Sequence, residues 1–140
     1  MNIKLLEGIE GLNFGLSKDD FLLQHPDNSN FELLEEEEEL KTEAILLEEI
    51  NSTLYFEGDE TEMLFTACDT ENKEATLFGV NVFDKTEAEI IELMKQHDYN
   101  QYDSDIEEWG EKNISFLEAM ADFYFIQGKL TSVSWGILIL

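Results

Sequence analysis

The feature that most constrains the fold is the recurrence of local signals at one fixed spacing. Ser17 and Thr86, Phe14 and Phe83, Ile45 and Ile114, Glu49 and Glu118, Tyr55 and Tyr124, and Phe56 and Phe125 are each 69 residues apart. Glu38 and Glu39 stand in the same relation to Glu107 and Glu108, and the register holds without a gap from position 14 to position 56. An acid-rich chain makes Glu–Glu coincidences cheap, but the Phe, Ile and Tyr-Phe matches gain nothing from that bias. A fixed period of this kind marks a repeated supersecondary unit. The chain is read as a single domain, 1–140, with repeats at 11–68 and 80–137.

Within each repeat the local signals fall in one order. Ser17 precedes Lys18-Asp19-Asp20 and an apolar run, which is how a helix starts, and Pro26 ends it. Thr86 opens a better helix from about Lys85 to His97, with Ile90, Ile91 and Met94 on one face. Leu54–Phe56 turns through Gly58 to Met63–Phe65, and Phe123–Ile126 turns through Gly128 to Leu130–Trp135; both read as hairpins. In the second, Phe123 and Phe125 point inward and Tyr124 outward. Ile45–Leu47 and Ile114–Leu117 enter the hairpins as strands, and Thr76–Phe83 reads as one further strand. The terminal run from Trp135 to Leu140 reads as a buried strand or as an exposed, pairing edge. The acidic stretches in between read as solvated segments. The expected class is α+β: an antiparallel sheet with helices packed on one face, built from two tandem helix-plus-β-meander repeats. On that element order, and on Phe14-Gly15-Leu16-Ser17-Lys18-Asp19-Asp20 followed by hairpins, the chain resembles the tandem units of β-lactamase-inhibitor-protein-like folds.

Charge limits what such a domain can bind. The chain has 33 acids against 8 basic residues, all lysine, for a net charge of -25. That surface repels nucleic acid, phosphate ligands and anionic membranes, and attracts cationic partners. Ten Phe and a hydrophobic fraction of 43 % separate it from disordered acidic tails, which lack aromatic residues. The acid load is uneven, with net charges of -16 over residues 1–70 and -9 over residues 71–140. The lone Cys68 forbids an intrachain disulfide and fits a reducing compartment. Acid arrives at Glu7 before any apolar stretch of signal-peptide length, and no run reaches the roughly 20 apolar residues of a membrane span. The expected location is the cytoplasm.

Catalytic signatures are missing from the sequence. Cys68 lies beside Asp69, which raises a thiol pKa, so pairing with His25 or His97 makes a poor nucleophile. From Asp103, a calcium loop would need Gly at the sixth place and Glu at the twelfth, where Glu108 and Ile114 stand. No phosphate loop, serine elbow or zinc spacing is present, and without arginine there is no bidentate anion clamp. The expectation is a non-enzyme without cofactor or metal. The candidate partner-binding residues are the run Glu35, Glu36, Glu37, Glu38 and Glu39, and the aromatic–acidic segment Tyr102, Asp103, Asp105, Glu107, Glu108 and Trp109. In the second group Tyr and Trp are the residue types that anchor interfaces, and the acids steer. By charge and size across the whole chain, the protein resembles bacterial toxin-immunity proteins. The resemblance implies an inhibitor that occludes a basic partner such as a toxin nuclease. The alternative is an acidic, dimeric secretion chaperone; a nucleic-acid mimic ranks below both. The oligomeric state stays open.

Overall fold

A computed structural model of the protein describes residues 1–138. In chain order its elements are β1 (Asn2–Lys4), β2 (Gly8–Ile9), β3 (Leu12–Asn13), helix α1 (Lys18–Gln24), β4 (Glu32–Glu37), β5 (Leu40–Leu47), β6 (Ser52–Gly58), β7 (Met63–Thr70), β8 (Thr76–Leu77), β9 (Val80–Asn81), helix α2 (Glu87–Gln96), β10 (Asp103–Ile106), β11 (Glu111–Phe116), β12 (Ala121–Ile126) and β13 (Lys129–Gly136). Single 3₁₀ turns, Glu48–Ile50 and Leu117–Ala119, join β5 to β6 and β11 to β12. Residues 139 and 140, the end of the apolar terminal run, lie outside the described residues.

The strands form two sheets. The large one is antiparallel in the order β10-β11-β12-β13-β7-β6-β5-β4, and the small one runs β3-β2-β1-β8-β9. Strand content is 47 % against 17 % helix, so the expected α+β class is overturned and the chain is mostly β. Three things caused the difference. Both acidic segments read as solvated are strands, β4 and β10. The stretch Thr76–Phe83 is not one strand but a small hairpin, β8–β9, because Phe78 and Gly79 both take positive φ, 54° and 81°. That pair of angles makes a two-residue turn of the twist-matched kind. Finally, residues 1–13 add three short strands, so a second sheet as well as helices covers the large one.

The equivalences at 69 residues reach into the backbone. The 3₁₀ turns start at Glu48 and Leu117, and the residues that close them, Asn51 and Met120, are both left-handed, at φ 46° and 50°. The helices start at Lys18 and Glu87. Ser17 and Thr86 cap them, each accepting from the backbone N–H three residues on, and Glu89 completes a capping box on α2. Each helix is tied to a strand at the same pair of positions with opposite polarity. Lys18 binds Glu43 at 2.5 Å, and Glu87 binds Lys112 at 2.5 Å.

One face of the large sheet is covered. Leu54, Phe56, Phe65, Cys68, Ile114, Phe116, Phe123, Phe125, Val133 and Trp135 point into it and are buried. Ile3, Ile9, Leu12 and Leu77 of the small sheet, with Phe21 of α1 and Ile90 and Met94 of α2, close the same core. Trp135 donates its Nε1–H to the Gly8 carbonyl at 2.8 Å, joining the small sheet to the middle of the large one. A Cβ at Gly8 would stand 2.3 Å from the Leu12 carbonyl oxygen, at φ 132°, so only glycine fits there. Among the described residues no helix is long and apolar enough to cross a membrane.

Candidate functional site: the open face of the large sheet

Alternation along each strand puts every second side chain on the face that no element covers. Partners in the strand register share a face, so the open face can be followed from one edge to the other. It carries Asp103 and Asp105 of β10, Glu111, Asn113 and Ser115 of β11, and Asp122 and Tyr124 of β12. Ser132 and Ser134 of β13 and Asp69 of β7 occupy the middle. Thr53, Tyr55 and Glu57 of β6, then Thr42, Ala44 and the exposed Leu40 and Leu46 of β5, and Glu32, Glu35 and Glu37 of β4, carry it to the other edge. Nine acids therefore share this face.

The lysines lie elsewhere. Lys18, Lys41, Lys85 and Lys112 are paired with Glu43, Glu60, Asp84 and Glu87. Lys18 and Lys73 also sit over the Phe31 and Phe83 rings, 4.4 Å and 4.7 Å from their centroids. Lys4 belongs to the small sheet and Lys95 to α2. Among the described residues only Lys129, at the start of β13 opposite Ile126, falls on the open side. The open-face acids thus keep their field, while acids on the covered side are partly neutralised.

The middle of the open face is organised around Asp69. Tyr55 donates its hydroxyl to Asp69 Oδ2 at 2.5 Å, and Ser134 donates to Oδ1. Ser115 donates to Asp122 across the neighbouring strands. Burial is the main cause that pushes the Asp69 carboxyl above its ordinary value; the Tyr55 hydrogen bond opposes this, and Glu71 and Asp122 add to it. Burial, then the bond to Asp69, raises the Tyr55 phenol, so Tyr55 stays a donor at neutral pH. Burial likewise raises Tyr124, with Asp122, Asp69 and Glu111 adding. A cavity of about 390 Å³ opens here, lined by Leu46, Thr53, Asp69, Glu71, Glu111 and Tyr124 among others. Its chemistry suits positive charge: three carboxylates, one phenol, three hydroxyls and the Asn51 amide beside Leu46, with no cation in the lining.

The expected site residues are divided by this geometry. Glu35 and Glu37 lie on the open face, whereas Glu36 points to the covered side beside Lys41. Glu38 and Glu39 form the β4–β5 turn, with Glu38 at φ 53°. Asp103 and Asp105 lie on the open face, and the Tyr102 ring sits 5.6 Å from that of Phe116 on the other side. Glu107, Glu108 and Trp109 form the tip of the β10–β11 hairpin, where Trp109 is 71 % exposed. The two groups stand at opposite edges of the sheet, separated by seven strand spacings or about 34 Å. What joins them is the central set Asp69, Glu111, Asp122, Tyr55 and Tyr124, which sequence reasoning missed. The signal was present in the alternation of Asp122 and Tyr124 with Ala121, Phe123 and Phe125.

Two other candidate chemistries gain no geometry. Cys68 is fully buried, and burial followed by Asp69 pushes its thiol far up, which keeps it protonated. Among the described residues no group of three or more His, Cys, Asp or Glu is disposed to hold a metal ion. Comparison with protein-family models, with curated proteins and with solved structures gave no match.

Proposed function

We propose that the protein is a non-enzymatic binding module that masks a basic partner through the open face of its large sheet. The observation that carries this reading is the segregation of charge. Nine acids share one uncovered face, while seven of the eight lysines belong to other parts of the molecule. A face of one sign steers an oppositely charged partner and raises its on-rate. A half-buried carboxylate fixed by two hydroxyls supplies a preorganised contact at the centre. A toxin nuclease fits as partner, because a site that holds phosphates is basic, and inhibition would be steric occlusion of that site. The dimeric chaperone draws less support. Of the apolar run Trp135–Leu140, which offered a dimerisation edge in the sequence, the part in a strand is Trp135 and Gly136 at the end of β13, and β13 lies between β7 and β12 in the middle of the sheet.

The test is a pull-down from the host lysate, or co-expression with the neighbouring gene product, followed by titration of the purified pair at rising salt. The expected result is a one-to-one complex that silences the partner's activity and weakens steadily as salt rises. Absence of a complex, or an affinity indifferent to salt, contradicts the reading.

A further inference from the structure

Resting on that reading, we propose that β10 is a strand-addition edge, which takes up an extended segment of the basic partner with lysine or arginine at alternate positions and apolar residues between them. β10 and β4 are the two edges of the large sheet, and every residue of both is exposed. They are defended differently. β4 carries a register shift between Leu33 and Glu35 and places the charged Glu36 on the core side, and both devices deter pairing. β10 pairs with β11 in unbroken register, and its core-side residues are Ser104 and Ile106, neither of them charged.

The hydrogen bonds of the hairpin tip show which groups of β10 are free. Glu107 N–H donates to the Glu111 carbonyl at 2.8 Å, and Gly110 N–H donates to the Glu107 carbonyl at 2.9 Å, with Gly110 at φ 92°. Antiparallel pairing alternates from there, so Asp105 and Asp103 bond to β11, while the N–H and C=O of Ser104 and Ile106 face outward. An added strand would meet those groups.

The two sides of β10 set the chemistry of the occupant. Asp103 and Asp105 continue the acidic open face and select positive charge opposite them. On the other side Ile106 is 71 % exposed and Tyr102 44 %, so apolar neighbours there remove surface from water. A second copy of this chain fits badly, because self-pairing would set Asp103 and Asp105 against acids of the same strand. Main-chain bonds give affinity and the alternating side chains give selectivity.

The test uses two synthetic peptides of equal charge as probes, one alternating lysine with valine and one alternating lysine with proline. Both answer the acidic face, but only the first has N–H groups at the alternate positions and can add as a strand. The lysine–valine peptide is expected to bind about tenfold tighter, consistent with a pair of main-chain hydrogen bonds. Ser104→Pro, which removes an outward N–H, is expected to erase that difference. Ile106→Lys, at an exposed site, is expected to do the same by setting a charge against the valine side of an added strand, and guards against misfolding of the proline variant. Equal binding of the two peptides by the native protein, or a difference that survives Ile106→Lys, overturns strand addition while leaving the acidic face as the docking surface. Failure of both peptides to bind overturns the acidic-face reading itself, and strand addition with it.

Discussion

Asp69 shows how a single half-buried carboxylate here is held at the expense of stability. It sits in the middle of the sheet, holds the Tyr55 and Ser134 hydroxyls, and has no cation beside it. Burial and the nearby Glu71 and Asp122 raise its pKa above the ordinary carboxylate value. For an acid raised on folding, the native state binds more protons than the unfolded state between the two pKa values, so stability falls as pH climbs through that window. Asp69→Asn removes this penalty while keeping a hydrogen-bonding side chain of the same shape. We expect thermal melting at pH 7 to give an equal or higher Tm for Asp69→Asn, with the difference closing as the pH drops below the ordinary carboxylate range near 3.9. The same variant is expected to bind the basic partner more weakly. A lower Tm at pH 7 with unchanged affinity would make Asp69 a structural residue only.

At the scale of elements, the helix-to-strand ties are the sharpest consequence of the 69-residue spacing. Lys18 with Glu43 and Glu87 with Lys112 occupy equivalent positions with the charges exchanged, so attraction, not the identity of either partner, is what the position needs. Lys18→Glu is expected to lower stability by about 1 kcal/mol in chemical denaturation, and adding Glu43→Lys is expected to restore most of it. No recovery in the double variant would mean that the tie contributes nothing. These helices and the strands around Phe56, Phe65, Phe123 and Val133 were legible in the sequence, because hydroxyl caps and alternating large apolar residues are strong local signals. β4 and β10 were not. Glu, Asp and Ser are poor strand formers, and these segments are strands only because β5 and β11 offer a ladder to complete. Thr76–Phe83 misled for the opposite reason: its residues favour strand, and the turn hinges on Phe78 tolerating a positive φ. Because β4 and β10 were invisible as strands, the acids they carry could not be assigned to a face, and the central residues linking them were overlooked.

For the whole molecule, a net charge of -25 has two consequences that salt separates. Self-repulsion opposes the compact state, so moderate salt is expected to raise stability, while the same screening weakens capture of a cation. Total charge alone cannot tell a functional face from a solubilising coat; its distribution can. The most direct test compares two variants that lose four charges each. Glu35→Gln, Glu37→Gln, Asp105→Asn and Glu111→Gln strip the open face, whereas Glu7→Gln, Glu10→Gln, Glu74→Gln and Glu92→Gln strip exposed acids of the loops beside the small sheet and of α2. The measurement is the affinity of each for the basic partner at fixed ionic strength. Binding through the open face predicts that the first variant loses about tenfold or more and the second stays within about twofold of the native protein. Equal losses in both would contradict it, because the charge would then act as an undirected field.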